Sequence, residues 1–573
     1  MTTAAPRPVH ALAGRHLVFL NWRDNAHPQA GGAELFCHSV AERFAAAGVR
    51  VTLLTSRPPG AAAASTDGGV EVRRGGGTFG VYPSVLARLA RMTRSGDPVD
   101  AVVDCQNGIP FFSPLVLPGR IPVVQVLHHV HQKQFPLYFP RPVARIGQLL
   151  ETPGSRWVYG RRPVAVVSPS TRDEARGVLA LPGARFLVPN GVTLAGDRTA
   201  AGSGADAARA AAPTIVCVGR LVPHKRLHLL IEALPTLLRR HPGLSLHLVG
   251  DGPDRARLAD IAARLMLTQG DGSSDATVRW YGFAAAEVRD TVLASAWLTV
   301  NPSHGEGWGL SVLEANGMGV PAVAFRVPGL RDSVRDGVTG WLVDEPGQLA
   351  DTVDRALTLL ADPARAGKIR AAARAWAGGF GWDTSADLLA AVIGSELDRL
   401  AGPGAGAGAD VGAGTGTGAS AGGRSAVGPG EPPARYTPAR PLAARRRRDR
   451  RRRDDQATWV EFDLPLDAEV PVLRRTDLVF EVTPEPEATG PETIRPETAG
   501  PEAAWPAAGL SGPRRRFVAL FYGADSTGAR TALARRGLRP AQRPRAATGE
   551  DLLLAATQAG ARRTGRSHAA ARS

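Results

Sequence analysis

Lysine is almost absent from this chain of 573 residues. Lysine and arginine together number 69, yet lysine occurs only at positions 133, 225 and 368. Long hydrophobic runs are absent as well: no stretch of about 18 apolar residues exists, so the sequence predicts no membrane-spanning helix. The first residues also lack the basic-then-apolar order of a signal peptide. We therefore expect a cytoplasmic protein, with peripheral attachment to the inner face of the membrane as the alternative.

Cysteine is the next scarcity. Cys37, Cys105 and Cys217 are far apart and odd in number, which argues against a disulfide framework and is typical of a reducing compartment. The metal-site spacings CxxC and HExxH do not occur either. We therefore predict no structural zinc, and we expect no metal or other cofactor to be needed for the function.

Positive charge is unevenly distributed along the chain. The formal net charge is +16, and residues 401–573 supply half of it, with 27 arginines against 19 acidic residues. Eight of the nine residues 445–453 are arginine. We predict a low-complexity, largely disordered C-terminal extension with small structured segments at RRRFVALFYGAD and EDLLLAATQAGARR. The arginine run suits an anionic membrane, but it lacks the interleaved aromatic residues of sequence-specific nucleic-acid binding. A solvated low-complexity extension without a role is the alternative.

The segment 15–195 has the alternating pattern of an α/β domain. Short apolar strands such as HLVFLNW and DAVVDCQ alternate with helical stretches such as GGAELFCHSVAERFAAAG, which ends in a glycine stop at Gly48. Ser170, with Asp173 three residues later, predicts the start of another helix by the capping-box pattern. Such alternation indicates a parallel sheet with helices on both faces.

A second α/β unit follows at 213–381. It is separated from the first by an Ala/Gly-rich stretch, 195–212, which is typical of an interdomain linker. Its strands include TIVCVGR, LSLHLVG and AWLTVNPS, with amphipathic helices such as LHLLIEALPTLLRRH between them. A last helical stretch at about 382–400 closes the folded part. The predicted fold class is therefore α/β, with two doubly wound, Rossmann-like domains.

The loop GRLVPHKR directly follows the strand TIVCV of the second unit. A glycine lets the backbone approach a ligand closely, while Arg220 supplies a planar fork and Lys225 a point charge, a combination suited to a diphosphate. A solvated basic loop is the alternative. The retention of Lys225 in a chain with so little lysine favours the functional interpretation.

Two glutamates bracket a strand–loop–helix junction in NPSHGEGWGLSVLEANGMGVP, residues 301–321. Junctions at the carboxyl edge of a parallel sheet are where α/β folds bind ligands, and the glycines leave N–H groups available at a helix N-terminus. A carboxylate is repelled by a diphosphate but accepts hydrogen bonds from hydroxyl groups. Glu314 therefore suits a ribose diol and Glu306 the hydroxyls of a sugar. The alternative is a solvated loop glutamate and a glutamate that complements the helix dipole.

Two motifs follow strands of the first unit. In HPQAGGAEL, Gly31 and Gly32 precede a helix and form a candidate backbone nest for phosphate. In VLHHVHQKQF, His128 and His129 end a buried strand and cannot both face one cleft if the strand continues. A metal site there lacks a nearby carboxylate or cysteine, so the sequence favours a histidine that binds a sugar or handles a proton.

The order of these motifs resembles that of a known family. GGAE, a histidine at a strand end, PNGV, GRL…K, VGDGP, GF and E-x7-E succeed one another over about residues 15–400. In this respect the chain resembles the family 4 retaining glycosyltransferases, which have the GT-B fold. The resemblance does not extend to the tail. It implies two domains that face each other across a cleft, with the donor nucleotide sugar held mainly by the second, and a last helix that crosses back to the first.

The resemblance also implies roles for single residues. Glu306 and His128 would act at the reacting sugar, with His129 as the fallback for the histidine. A larger set would bind the donor: Gly31, Gly32, Arg220, Lys225, Phe283, Gly307, Trp308, Gly309, Leu310 and Glu314. Within this set Arg220 and Lys225 would hold the diphosphate, Glu314 the ribose, and Phe283 would lie near the base. Two departures from the family pattern, Trp308 in place of phenylalanine and EANGMG in place of EAMA, remove no charged group.

The predicted function is metal-independent, retaining transfer of a hexose, such as mannose or glucose, from a GDP- or UDP-sugar. The acceptor is a lipid, a polysaccharide or a small molecule. One alternative is a sugar phosphorylase or epimerase on the same fold, although the pyridoxal phosphate common in phosphorylases needs a lysine and only three exist. The other is a protein that binds anionic lipid or nucleic acid through the arginine-rich tail.

Overall fold

The computed structural model describes residues 7–95, 98–193, 209–267 and 277–401, and short C-terminal segments at 457–465, 478–481, 514–522, 529, 533 and 545–547. Most of the predicted linker, the arginine run 445–453 and the segment EDLLLAATQAGARR lie outside the described residues. The prediction of disorder for the tail therefore concerns residues that are mostly not described.

The first domain is built on an eight-stranded sheet. Its strands are β1 (His16–Leu20), β2 (Arg50–Thr55), β3 (Ala64–Asp67), β4 (Val70–Arg74), β5 (Ala101–Asn107), β6 (Val123–His129), β7 (Val164–Val166) and β8 (Arg185–Leu187). Their order is β3-β4-β2-β1-β5-β6-β7-β8, and every pairing is parallel except β3 with β4. The helices are α1 (Gly32–Ala46), α2 (Gly77–Arg94), α3 (Phe135–Tyr138), α4 (Arg141–Leu149), α5 (Ser155–Tyr159) and α6 (Pro169–Gly177), with a π-helical turn at Leu150–Gly154.

Helix α1 shows why this domain packs as it does. Phe36, Val40 and Phe44 recur every four residues and are fully buried, so they form one face that covers the sheet. The ring of Phe44 meets that of Phe19 in β1 edge-on, with centroids 5.9 Å apart. Gly48, with φ +83°, follows the helix end, as the sequence predicts.

The second domain has a six-stranded parallel sheet. Its strands are β9 (Thr214–Val218), β10 (Ser245–Val249), β11 (Val278–Gly282), β12 (Leu298–Asn301), β13 (Ala322–Phe325) and β14 (Gly340–Val343). The order β11-β10-β9-β12-β13-β14 is that of a Rossmann sheet, so the topological switch point lies between β9 and β12. The helices are α7 (His228–Arg240), α8 (Arg255–Arg264), α9 (Ala286–Ala294), α10 (Leu310–Gly317), α11 (Leu330–Ser333), α12 (Leu349–Ala361) and α13 (Pro363–Gly378).

The last helix of the two domains, α14 (Trp382–Ala401), returns to the first domain. Trp382, Leu389 and Ile393 belong to the same apolar core as α1. At its start Asp383 accepts hydrogen bonds from Arg7 and Arg43 of the first domain. Within the described residues, none of the helices combines the length and the apolar character that crossing a bilayer requires.

One predicted helix start is wrong. Helix α6 is capped by Ser168, whose hydroxyl accepts a hydrogen bond from the Thr171 N–H at 3.0 Å, and not by Ser170. Ser170 lies inside the first turn, where its N–H donates to Asp332 of the second domain. A contact between domains has therefore taken the place of the local capping box.

Four short strands of the C-terminal region form a separate antiparallel sheet. They are β15 (Ala457–Pro465), β16 (Leu478–Glu481), β17 (Arg514–Tyr522) and β18 (Arg545–Ala546), in the order β16-β17-β15-β18. β17 coincides with the predicted segment RRRFVALFYGAD. Its pairing partners β15 and β16 were not expected from the sequence.

Candidate active site

The loops after β9 and β12, which leave the sheet at its switch point, are joined to each other. Arg226 donates from its guanidinium to the carbonyls of Pro302 (2.8 Å) and Ser303 (3.0 Å), and the His304 N–H donates to the His224 carbonyl at 2.8 Å. These bonds fix the short helical turn at Pro223–Lys225 beside the glutamate loop. The predicted GRL…K motif and the glutamate motif thus form one structure.

Lys225 and Glu306 form an ion pair at the centre of this structure. The Lys225 Nζ lies 2.5 Å from Glu306 Oε1, and the Ser303 hydroxyl lies 2.6 Å from the same oxygen. Burial would raise the pKa of Glu306, but the ammonium and the hydroxyl outweigh it and hold this pKa below its usual value. Glu306 is therefore an ionised, oriented acceptor of hydrogen bonds at neutral pH.

The glycines after Glu306 allow the chain to turn closely under the first domain. A Cβ at Gly307 would lie 1.9 Å from the His128 carbonyl oxygen, so a side chain cannot fit there. Gly309 has φ +84° and precedes α10, whose first N–H groups are available at the helix start. Trp308, between them, is buried and packs edge-on against Phe380 at 5.1 Å. Its side chain is thus part of the core, and only its backbone is placed to support a ligand.

Glu314 lies on the second turn of α10 and is half-buried. Burial would lower the pKa of Arg289, on the neighbouring helix α9, but the carboxylates of Glu314 and Asp290 outweigh it and raise this pKa above its usual value. Arg289 is a charged neighbour of Glu314 that was not predicted from the sequence, because no motif surrounds it.

The glycine pair of the first domain meets the second domain across the cleft. Gly31 is the N-cap of α1, and its N–H donates to the Glu34 carboxylate at 2.8 Å, an arrangement that closes the turn. A Cβ at Gly32 would lie 3.7 Å from Leu310 at the start of α10. The N-termini of α1 and α10 therefore meet across the cleft.

Two arginines from different domains flank this convergence. Arg23, in the loop after β1, stacks over the Trp22 ring at 3.9 Å and donates to the Gln29 carbonyl at 2.9 Å. Burial lowers the pKa of Arg23; the charge of Glu34 opposes this effect and that of Arg220 adds to it. Arg220 was predicted from its motif, whereas Arg23 was not, because no glycine-rich loop lies directly beside it in the sequence.

The histidines that end β6 point in different directions. The ring of His128 packs edge-on against Phe36 of α1, with centroids 5.1 Å apart, inside the first-domain core. His129 faces the glutamate loop, where a Cβ at Gly305 would lie 3.7 Å from its Nε2. Burial lowers the pKa of His129 to about 4, although the charge of Glu306 opposes this shift. The structure thus places His129, the fallback, beside Glu306 and gives His128 a packing position.

Phe283, the residue predicted to lie near the base, is largely exposed. It follows β11 and is 85% exposed.

A candidate metal group exists elsewhere in the described residues: His38, Glu42 and Asp67 offer ligand atoms within 4.8 Å of one another. His38 and Glu42 lie on α1 and Asp67 in β3, and His38 is already paired with both carboxylates, at 3.3 and 3.0 Å. The group contributes nothing to the cleft.

Comparison with known proteins gives a match in each domain. Residues 30–195 match the model of Glycosyltransferase Family 4, and residues 206–376 match that of Glycosyl transferases group 1. Together the two models cover more than half of the chain.

Two named glycosyltransferases are among the similar sequences. One is a D-inositol 3-phosphate glycosyltransferase of Geodermatophilus obscurus, 36% identical over 244 residues, which is 40% of this chain and 53% of the relative. Another is a GDP-mannose-dependent alpha-(1-6)-phosphatidylinositol monomannoside mannosyltransferase of Mycolicibacterium smegmatis, 37% identical over 189 residues, or 32% of this chain and 47% of the relative. The chain spans about half the length of the curated relatives it matches.

Solved structures show the same fold. Sucrose-phosphate synthase from Thermosynechococcus elongatus superposes with a TM-score of 0.53 at 21% identity, over 66% of this chain and 98% of that one. A glycosyltransferase from Rickettsia africae gives 0.52 at 15% identity, over 67% and 99%. At these identities the likeness concerns the fold alone, which is GT-B. With a family model matched in each of two facing Rossmann-like domains, the chain belongs to glycosyltransferase family 4.

Proposed function

We propose that the protein is a retaining glycosyltransferase that moves a hexose from a nucleotide-sugar donor to an acceptor hydroxyl without a metal ion. The observation that carries the proposal is the Lys225–Glu306 pair, which sits at the switch point of the second domain and faces His129 of the first. A charged pair held at the mouth of a Rossmann sheet is placed for a ligand that is anionic at one end and rich in hydroxyls at the other.

In the reaction, the bond between the sugar C1 and the diphosphate oxygen breaks, and a bond from C1 to the acceptor oxygen forms on the same face. Negative charge develops on the leaving diphosphate. Arg220, Lys225 and the N–H groups at the start of α10 supply positive charge there without a metal. The proton of the acceptor hydroxyl passes to the leaving phosphate, which serves as the base, so the step needs no protein nucleophile.

Glu306 has a positioning and electrostatic role in this proposal. Its ionised carboxylate can accept hydrogen bonds from sugar hydroxyls and can stabilise positive charge that develops on the ring. His129, held neutral by burial, adds a polar group on the opposite wall without repelling that charge. Glu314 binds the ribose diol, and the helix ends at Gly32 and Gly309 approach the phosphates.

Contacts between the domains support exclusion of water from the cleft. The Thr171 hydroxyl donates to the Gly307 carbonyl at 3.2 Å, and the Ser170 N–H donates to Asp332 at 2.9 Å. Water exclusion matters because hydrolysis of the donor competes with transfer. We propose a GDP-sugar as the first donor to test, because one relative is named as GDP-mannose-dependent. The acceptor class, a lipid, polysaccharide or small molecule, stays open.

The test is calorimetric titration of the full chain with GDP, UDP and ADP. We expect one nucleotide to bind at micromolar strength, and Glu314→Ala to weaken it at least about tenfold, because two hydrogen bonds to the ribose are lost. Glu232→Ala, an exposed glutamate on α7, is the control and should bind like the parent. Transfer from the corresponding nucleotide sugars, with the anomeric configuration of the product read by NMR, then tests retention. Failure of all three nucleotides to bind the folded protein overturns the proposal.

A further inference from the structure

A group of large apolar side chains lies exposed on the first domain, in and around α3 and α4. Each of the six is between 41% and 57% exposed, and we call them the α3–α4 patch: Leu137, Tyr138, Phe139, Val143, Ile146 and Leu149. They form the largest share of the exposed large hydrophobic residues in the part of the chain that the structure describes. Grouped exposure of this kind marks an interaction surface, whereas scattered single residues do not.

The packing of α4 explains why these side chains face outward. Ala144 and Gly147 form the inner face of the helix, and a Cβ at Gly147 would lie 2.7 Å from the buried ring of Phe135. Val143 and Ile146, three residues apart, lie on the other side of the helix. The glycine lets α4 lie directly on Phe135 of α3. Val143, Ile146 and Leu149 remain exposed on the outer side of the helix.

The exposed charges within the stretch of chain that carries the patch have one sign. Lys133, Arg141, Arg145 and Arg156 are exposed in the same stretch of chain. Between positions 105 and 172 the sequence contains one acidic residue, Glu151, and its side chain is fully buried. The exposed surface of this stretch is therefore apolar and cationic, without a compensating negative charge.

We propose that the α3–α4 patch docks the protein on an anionic lipid bilayer. Aliphatic side chains on the outer face of α4 and the aromatic rings of Tyr138 and Phe139, at the end of α3, would enter the interface between headgroups and acyl chains. The flanking arginines would contact lipid phosphates. Charge complementarity favours a bilayer over a second copy of the chain, because two such cationic faces repel each other. This surface lies in the folded first domain and is distinct from the arginine run at 445–453.

The patch borders the entrance to the cleft. The Tyr138 hydroxyl lies 2.5 Å from Nδ1 of His224 in the second domain, and His224 precedes Lys225 in the short helical turn. A bilayer in contact with α3 and α4 would therefore lie beside the opening of the candidate active site. This placement concerns binding and does not depend on the proposed reaction.

The experiment is co-sedimentation of the full chain with vesicles of phosphatidylcholine, with or without one third phosphatidylglycerol. The eight arginines of 445–453 are replaced by serine in every sample, because that run would bind anionic vesicles by itself. We expect binding to the anionic vesicles, and we expect Val143→Glu/Ile146→Glu to reduce it at least about tenfold, since two aliphatic side chains are lost from the interface and two negative charges are added. Arg141→Gln/Arg145→Gln should reduce it to a smaller extent and weaken its dependence on salt.

Val288→Glu provides a matched control. Val288 is also a helical valine, is 46% exposed on α9 of the second domain, and its replacement should leave vesicle binding unchanged. The proposal is overturned if the α4 double variant binds vesicles like its parent, or if neutral vesicles bind as well as anionic ones. It is also overturned if the α4 substitutions leave vesicle binding unchanged and change only the sedimentation coefficient of the lipid-free protein. That result would identify the patch as a contact between copies of the chain.

Discussion

At the scale of single residues, the position of Lys225 suits two interactions: the proposed contact with a diphosphate and an ion pair with Glu306. Its position after the β9 loop suits a diphosphate, while its Nζ lies 2.5 Å from Glu306. The sequence suggested the first role from the rarity of lysine, but it could not reveal the second, because Lys225 and Glu306 are 81 residues apart. Lys225 helps to keep the Glu306 carboxylate ionised. The loss of Lys225 alone and the loss of both charges should therefore have different consequences.

Lys225→Met is expected to lower the transfer rate by about 10²–10³-fold, because a charge that stabilises the leaving diphosphate is lost. It should also lower the free energy of unfolding by roughly 2–3 kcal/mol, since the mostly buried Glu306 carboxylate loses its partner. Transfer kinetics and urea unfolding measure the two effects.

The double variant Lys225→Met/Glu306→Gln separates these effects. Because it leaves no unpaired charge, most of the lost stability should return, while activity should stay low. Recovery of activity in the double variant, or unchanged stability in the single one, would contradict the proposed coupling.

The two histidines of β6 should differ in the same manner. His129→Ala is expected to lower the transfer rate by about 10²-fold with little loss of stability, because His129 borders Glu306 in the cleft. His128→Ala should chiefly lower the free energy of unfolding, by about 2–3 kcal/mol, because a ring packed on Phe36 is removed. Since the pKa of His129 lies near 4, the rate should show no titration of this group between pH 6 and pH 8. A larger rate effect at His128 would reverse the assignment.

The cleft residues that a motif carries could be predicted from the sequence, whereas those that only the fold brings there could not. Gly32 and Leu310 come from motifs far apart in the chain, and both lie where the N-termini of α1 and α10 meet. Arg23 and Arg289 have no motif, and only tertiary packing brings them to the cleft. The choice between His128 and His129 depends on which way the end of β6 faces, which strand alternation alone cannot decide.

At the scale of elements, the π-helical turn after α4 holds a buried carboxyl group. Glu151 accepts hydrogen bonds from the His131 N–H at 2.7 Å and the Gln132 side-chain amide at 2.8 Å. It thereby ties the end of α4 to the loop that follows β6. Burial raises the pKa of Glu151 to about 7, although both hydrogen bonds oppose this shift.

The raised pKa makes stability depend on pH. Below about pH 4.5, the usual pKa of the group, Glu151 is protonated in both the folded and the unfolded states and carries no penalty. As pH rises toward 7 the unfolded chain ionises first, so stability is lost, by at most about 3 kcal/mol. Glu151→Gln should flatten the curve of unfolding free energy against pH in this window, and Glu232→Gln, at an exposed site, should not. Parallel curves for the parent and Glu151→Gln would contradict the argument.

Most elements of the two domains could be predicted because their apolar periodicity is strong. The helical stretch that ends at Gly48 became α1, and the strand TIVCV became β9. The sequence did not predict the antiparallel β3–β4 pair, whose β3 has no buried residue, nor the pairing of β15 with β17, which joins segments some fifty residues apart. Short strands of this kind gain their stability from partners, and not from local pattern.

At the scale of the whole molecule, the two domains meet through a few polar bonds and a shared apolar cluster. Asp332 accepts the Ser170 N–H at the start of α6, and Arg331 donates to the Ser170 hydroxyl at 2.9 Å. Trp308 of the second domain packs in one cluster with Leu127 and Val130 of the first. Domains of one chain commonly move relative to each other, so we expect the position of these two domains to depend on such contacts.

Asp332→Ala should shift the equilibrium between the closed and open arrangements of the two domains toward the open one. Loss of a charged hydrogen bond across the interface costs about 1.5–3 kcal/mol, which changes the closing equilibrium by a factor of roughly 10–150. We expect a larger radius of gyration by small-angle X-ray scattering, and we expect the nucleotide that binds the parent to restore the compact form at saturation with reduced apparent affinity. Asp336→Ala is the control, because Asp336 bonds Arg326 and the Leu342 N–H within the second domain. If both variants scatter like the parent, the contact at Ser170 does not govern closure, and the apolar cluster around Trp308 must hold the domains together without it.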